Sequence, residues 1–141
     1  MAAKPDPTES LRQVPLFSSL DKKELGMLAK LVKEQAYESG QTIVKSGAGG
    51  HGLYIIREGR VSIIQNGKTV ATMGPGQFFG EISVLDGGPR TADVRTDEPT
   101  VVYALISWEV KPVLMDNAAI TYKMLIEMVK RLRNTAPQQH D

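Results

Sequence analysis

Apolar and polar residues alternate with three different rhythms along the chain. In "LFSSLDKKELGMLAKLV", residues 16–32, the positions Leu25, Leu28, Ala29, Leu31 and Val32 recur near helical spacing. Asp21 and Glu24 stand just ahead of that stripe, three residues apart, so each side chain can accept from the other's otherwise orphaned backbone N–H. One amphipathic helix is predicted here. From Gln41 to about Ile106 the pattern breaks into short β-prone runs, "TIV", "LYIIR", "VSIIQ", "TVATM", "ADVRT" and "TVVYALI", separated by glycine-containing turns. Asn66-Gly67 is the strongest of these turns, because a tight hairpin needs positive φ at its central residues. Short strands at this spacing predict an antiparallel sandwich or barrel of roughly eight strands. After Ile106 helical spacing returns, with Leu125, Met128, Val129 and Leu132 in a stripe beside Lys130, Arg131 and Arg133. Pro112 predicts a kink or a helix start, and a second, longer helix is expected from about Asn117. Trp108 is expected to anchor the closing helix in the roll.

The resulting fold class is mostly β: an antiparallel, jelly-roll-like β-roll with an N-terminal helix and C-terminal helices. Residues 1–12, with prolines at 5 and 7, read as a flexible lead-in. Residues 13–136 read as a single domain, with the roll over about 41–106, helices over about 107–135, and a flexible tail at 137–141.

Charge and composition narrow the function classes. Seventeen basic residues face sixteen acidic ones, so no global field attracts nucleic acid or an anionic membrane, and an anion must be met locally. With no cysteine, disulfides, thiolate metal sites and a cysteine nucleophile are all excluded. His51 and His140 lie far apart with no metal-ligand companion at a useful spacing. The N-terminus "MAAKPDPTES" lacks the apolar core of a signal peptide, and no apolar run approaches the ~20 residues of a membrane span. A cytoplasmic protein with no membrane insertion is expected.

The densest chemistry lies in "GQFFGEISVLDGGPRTA", residues 76–92. Gly76 and Gly80 permit close backbone approach, and "EISVL" suits a short helix whose first N–H groups, at Glu81, Ile82 and Ser83, would be unpaired. Such N–H groups favour an anion. Gly87-Gly88-Pro89 then turns the chain and returns Arg90, whose guanidinium can make two parallel bonds to a phosphate or carboxylate. Glu81 only accepts, so beside an anionic ligand it needs a hydroxyl or amine donor. Together these features describe a phosphate-bearing ligand with one free hydroxyl. Ser83 has no histidine near it in sequence and does not suggest a nucleophile.

This stretch resembles the phosphate-binding cassette of cyclic nucleotide-binding domains, which runs Gly-Glu, an aliphatic, Ala or Ser, and after a short turn Pro-Arg, a small residue and Ala. The chain supplies Gly80, Glu81, Ile82 and Ser83, then Pro89, Arg90, Thr91 and Ala92. The resemblance extends through "LYIIREGRVSII" and "MGPGQFFGE" to the closing helices, roughly residues 16–135. It implies that Arg90 pairs with the exocyclic phosphate oxygens and that Glu81 accepts the ribose 2′-hydroxyl. The backbone at Gly80, Ile82, Ser83 and Thr91 would complete the cage, Ile63, Val70 and Met73 would line the purine pocket, and Thr135 would approach the base. Gln77 stands where family members often carry an acidic residue. Thr91 departs toward cGMP acceptance, whereas alanine or serine is common there in cAMP receptors; cAMP remains the expected ligand and cGMP the alternative. The last helix acts in the family as a lid or dimer helix, so a homodimer or an output domain reached through it is the expected macromolecular partner.

Other readings of the same residues are a surface ion pair between Glu81 and Arg90, and a nucleotide-free dimerisation domain of the same fold. Metal-dependent cupins are also small β-rolls, but they need clustered histidines and carboxylates that two distant histidines do not provide. A helix-turn-helix would begin about where this sequence ends, and its net charge is near neutral, so DNA binding by these residues is not expected. The expectation is a regulatory binding module with no enzymatic activity and no cofactor.

Overall fold

Eight antiparallel strands build a two-sheet roll in the computed structural model, which describes residues 6–48, 51–88 and 91–135. They are β1 (Lys33–Tyr37), β2 (Thr42–Val44), β3 (Gly52–Glu58), β4 (Val61–Gln65), β5 (Lys68–Met73), β6 (Phe78–Phe79), β7 (Asp93–Thr96) and β8 (Thr100–Ile106). One sheet has the order β1-β8-β3-β6 and the other β2-β7-β4-β5. This is the β-roll expected from the strand pattern. The hairpin between β4 and β5 turns at Asn66 and Gly67, both at positive φ (51° and 75°), with Gln65 and Lys68 paired across it.

Alternation fills the roll. Tyr54, Ile56, Val61, Phe79, Val94, Val102, Ala104 and Ile106 form a buried cluster, and Tyr37, Ile43, Ile63 and Met73 pack against it half-buried. On β3 and β8 the intervening residues Leu53, Ile55, Tyr103 and Leu105 are buried too, so these two strands read as continuous apolar runs. At the sheet edge, Glu34 on β1 is paired with Arg57, which stacks 5.9 Å from the Tyr103 ring centroid.

The chain divides into two units, the roll (Leu31–Lys111) and a helical unit formed by Met1–Lys30 and Pro112–Asp141. In the helical unit, α1 (Pro7–Arg12) and α2 (Lys22–Ala29) surround a 3-10 turn at Pro15–Phe17. The Asp21–Glu24 capping box is present in both directions, at 2.9 and 2.8 Å. Glu24 also accepts from Lys123 Nζ at 2.6 Å, and that bond holds the ammonium above its ordinary pKa against the opposing effect of desolvation. Lys123 lies on α5 (Ala118–Thr135), which follows α4 (Ser107–Asp116).

Four expectations need correction. Residues 7–12, assigned to a flexible lead-in, are helical: Pro7 occupies the first helical position, the Asp6 side chain caps Thr8 N–H at 2.9 Å, and Leu11 is buried. The roll begins at Lys33 and not near 41, because "KEQAY" is a mostly exposed edge strand without an apolar run. Of the two outcomes expected at Pro112, a kink or a helix start, the start is excluded, because Pro112 lies inside α4. Trp108 is not buried as an anchor; it is 65% exposed.

Candidate functional site

The segment following β6 has the local geometry that its glycines permit. Gly80 has φ 86°, a conformation costly for residues with a Cβ, and turns the chain directly out of the Phe78–Phe79 strand. Phe79 is itself fixed by stacking on Tyr54, with centroids 5.1 Å apart and planes 15° apart. Glu81 and Ile82 then lead into α3 (Ser83–Asp86), a single turn that packs against β3. Val84 N–H closes the turn onto Gly80 C=O at 3.1 Å, so Ile82 and Ser83 N–H precede the first bonded turn. Gly87, left-handed at φ 64°, ends α3 by donating to Ser83 C=O at 2.8 Å, and Gly88 N–H donates to Asp86 Oδ1 at 2.7 Å.

Burial separates the residues of this segment. Glu81 is only 9% exposed and Val84 is fully buried, whereas Ile82 is 55% and Leu85 38% exposed. Of the two acidic residues in this segment, Glu81 thus lies at the protected end of the turn and Asp86 at the exposed end, and two aliphatics face outward. Arg90, the other half of the expected clamp, lies with Pro89 outside the described residues. Thr91 is exposed and Ala92 half-buried as the chain enters β7, where Ser46 N–H donates to Asp93 Oδ1 at 2.6 Å.

The expected pocket residues are distributed unevenly. β7 pairs with β4 through Val94 and Ile63, so the arm bearing Thr91 and Ala92 enters the sheet that carries Ile63. Ile63 and Met73 both pack against the roll cluster, with Met73 opposite Val61 and Ala71 opposite Ile63. Val70 sits where the β4–β5 register shifts and is 55% exposed. Thr135 ends α5 in the helical unit, its hydroxyl donating to Arg131 and Leu132 carbonyls at 3.0 and 3.3 Å.

Tyr37 and Ile43 share the half-buried position of Ile63 and Met73, and the sequence reading missed both. Burial, with nearby Tyr54 adding to it, raises the Tyr37 phenol above its ordinary pKa, and its hydroxyl donates to Gln35 Oε1 at 2.8 Å. The alternation in "TIV" was the available signal for Ile43. Among the described residues no cluster of three or more histidine, cysteine, aspartate or glutamate side chains could hold a metal ion.

The family profile described as "Cyclic nucleotide-binding domain" matches residues 34–117, which span the roll from its second residue onward and all of α4. This chain belongs to the cyclic nucleotide-binding domain family. It is 32% identical over 101 residues, 72% of its length, to a cAMP-dependent protein kinase regulatory subunit of Yarrowia lipolytica. It is 33% identical over 123 residues, 87% of its length, to a cGMP-dependent protein kinase of Toxoplasma gondii. The chain spans only 27% and 12% of these two relatives. Among solved structures, the N-terminal domain of a transcriptional regulator from Streptomyces coelicolor superposes with a TM-score of 0.83 at 30% identity, covering 94% of this chain and 98% of that one. The turn from Gly80 to Gly87 lies within the stretch, Gly80 to Ala92, whose sequence resembles the family's cassette. No helix among the described residues is long and apolar enough to cross a membrane.

Proposed function

We propose that this chain is a sensor module in which a cyclic nucleotide, cAMP foremost, is held by the cassette and its capture shifts the C-terminal helices. The observation that carries the reading is the placement of Glu81 in a family member with the full cassette spacing: a protected carboxylate, immediately after left-handed Gly80, ten residues before Thr91. Glu81 accepts the ribose 2′-hydroxyl and Arg90 pairs with the phosphate. Backbone groups at Gly80, Ile82, Ser83 and Thr91 close the cage beside Ala92. Ile63 and Met73 offer apolar surface to the purine, with the exposed Val70 beside them. Binding moves the helices only to the extent that the nucleotide prefers one arrangement over the other. The protein works in the cytoplasm as a binding module and not as an enzyme.

Thr91 supports cGMP as a second ligand, because its exposed hydroxyl can bond the guanine 2-amino group. Side-by-side calorimetric titrations of the full chain should give saturable binding of cAMP and weaker binding of cGMP. Thr91→Ala is expected to weaken cGMP about fivefold, a bond of roughly 1 kcal/mol, with cAMP little changed. Failure of both nucleotides to bind would leave the nucleotide-free reading of the fold.

The partner is met through α5. Ile120 and Met124 are buried, whereas Tyr122, Leu125, Val129 and Leu132 are exposed at successive intervals of three, four and three residues. That spacing is the seam of a two-helix coiled coil, so a second copy of the chain is the partner we favour over an output domain. Sedimentation should show a dimer for the wild-type chain and a monomer for the Leu125→Glu/Leu132→Glu variant. A monomeric wild type would assign the seam to an output domain instead.

A further inference from the structure

We propose that a groove beside α3, separate from the residues assigned to the nucleotide, binds a small planar aromatic molecule bearing one anionic group, with Trp108 as its stacking surface and Lys111 as its charge partner. The groove measures about 450 Å³ and lies within the roll unit, between the last turn of α3 and the start of α4. Small-molecule sites commonly occupy roughly 300–1,000 Å³. Its walls are apolar where a ring would lie. Trp108 is 65% exposed, an unusual state for a residue that is highly buried on average, and Leu85 faces it from α3 with 38% of its surface open.

Both walls are fixed before any ligand arrives. Ser107 N–H donates to His51 C=O at 2.7 Å, tying the start of α4 to the chain entering β3. The His51 ring meets the Trp108 indole edge-on, with centroids 5.7 Å apart and planes at 84°. On the facing wall, the Gly87 and Gly88 N–H bonds to Ser83 C=O and Asp86 Oδ1 hold the end of α3. Such pre-organisation lowers the ordering cost of binding.

Charge selects the ligand. Three titratable side chains line the groove, those of His51, Asp86 and Lys111. Asp86 already accepts the Gly88 N–H, and Glu109, the acidic neighbour on α4, is paired with Lys33 at 3.1 Å. The Lys111 ammonium has no hydrogen bond or ion pair among the described residues. The groove therefore offers an aromatic face, an aliphatic face and one uncommitted ammonium, complementary to a ring carrying a carboxylate, sulfonate or phosphate.

Trp108 is the sole tryptophan of the chain, so its emission reports on this groove. The full chain is titrated with anilinonaphthalenesulfonate, with and without cAMP, following quenching of Trp108 and the rise in probe emission. Saturable binding at one site is expected, persisting when cAMP is bound although its affinity shifts with α4, at least tenfold weaker in Lys111→Glu and retained in Lys111→Arg. The uncharged analogue phenylnaphthylamine should bind more weakly than the sulfonate. Lys111 is exposed, so an unchanged melting midpoint in both variants separates a binding effect from loss of fold. Unsaturable binding, displacement by cAMP, or equal affinity in Lys111→Glu would overturn the proposal.

Discussion

Arg90→Ala is expected to lower the affinity for cAMP about a hundredfold while leaving the melting midpoint of the free protein nearly unchanged. The size follows from the chemistry of the pair. A guanidinium facing a phosphate makes charge-assisted bonds worth roughly 1.5–3 kcal/mol each, and the loss of about 3 kcal/mol corresponds to two decades in dissociation constant. Lys is not an equivalent replacement, because an ammonium cannot reproduce two parallel bonds from a planar fork; Arg90→Lys should recover only part of the loss. Glu81→Gln is the complementary change. An amide can still accept the ribose hydroxyl, but without charge, so a loss of about tenfold is expected. Calorimetry with cAMP distinguishes this assignment from the surface ion-pair reading, in which both variants would bind as the wild type does.

The difference between these two sites of interest, cassette and purine pocket, explains how far the residues alone could be read. The cassette segment is local: Gly80, Glu81, Ser83 and Gly87 act within eight consecutive residues, so spacing alone carries the turn, the helix start and its left-handed end. The surface we propose for the purine is non-local. Period two along β5 places Met73 and Ala71 opposite Val61 and Ile63, but the register shift that follows leaves Val70 at an irregular position. A single extra residue in a strand changes which side chains share a face, and nothing in "KTVATM" marks where it falls. Tyr37 escaped notice for a related reason, since its strand "KEQAY" gains its place by pairing with β8 and not by apolar alternation. At the N-terminus, Pro7 was legible as a breaker and equally as a helix-initiating residue; the Asp6 cap and the burial of Leu11 decide for the helix. The hairpin at Asn66-Gly67 and the capping box at Asp21–Glu24 were legible because each motif contains both hydrogen-bonding partners within four residues.

Gly59→Ala is expected to destabilise the roll by about 3 kcal/mol or more. Gly59 joins β3 to β4 at φ 96°, and a Cβ there would lie 2.5 Å from Pro99 C=O, 2.5 Å from Thr100 Oγ1 and 2.6 Å from Thr100 Cα. Thr100 cannot easily give way. It is 1% exposed, begins β8, and its hydroxyl donates to Glu98 C=O at 2.8 Å. Asp97 N–H also donates to Arg60 C=O at 2.9 Å, binding the same two turns together. The penalty thus combines an unfavourable backbone conformation, roughly 1–2 kcal/mol, with overpacking against fixed backbone, roughly 1–3 kcal/mol. Gly40→Ala separates the two contributions. Gly40 has a similar φ of 81°, but no atom lies within 4 Å of its added Cβ, so only the conformational part applies. At about 4 °C per kcal/mol for a chain of this size, melting midpoints should fall by about 5 °C for Gly40→Ala and by more than about 10 °C for Gly59→Ala. Equal shifts would mean that the contact between the Gly59 turn and Thr100 does not constrain the roll, and that φ alone sets the requirement for glycine.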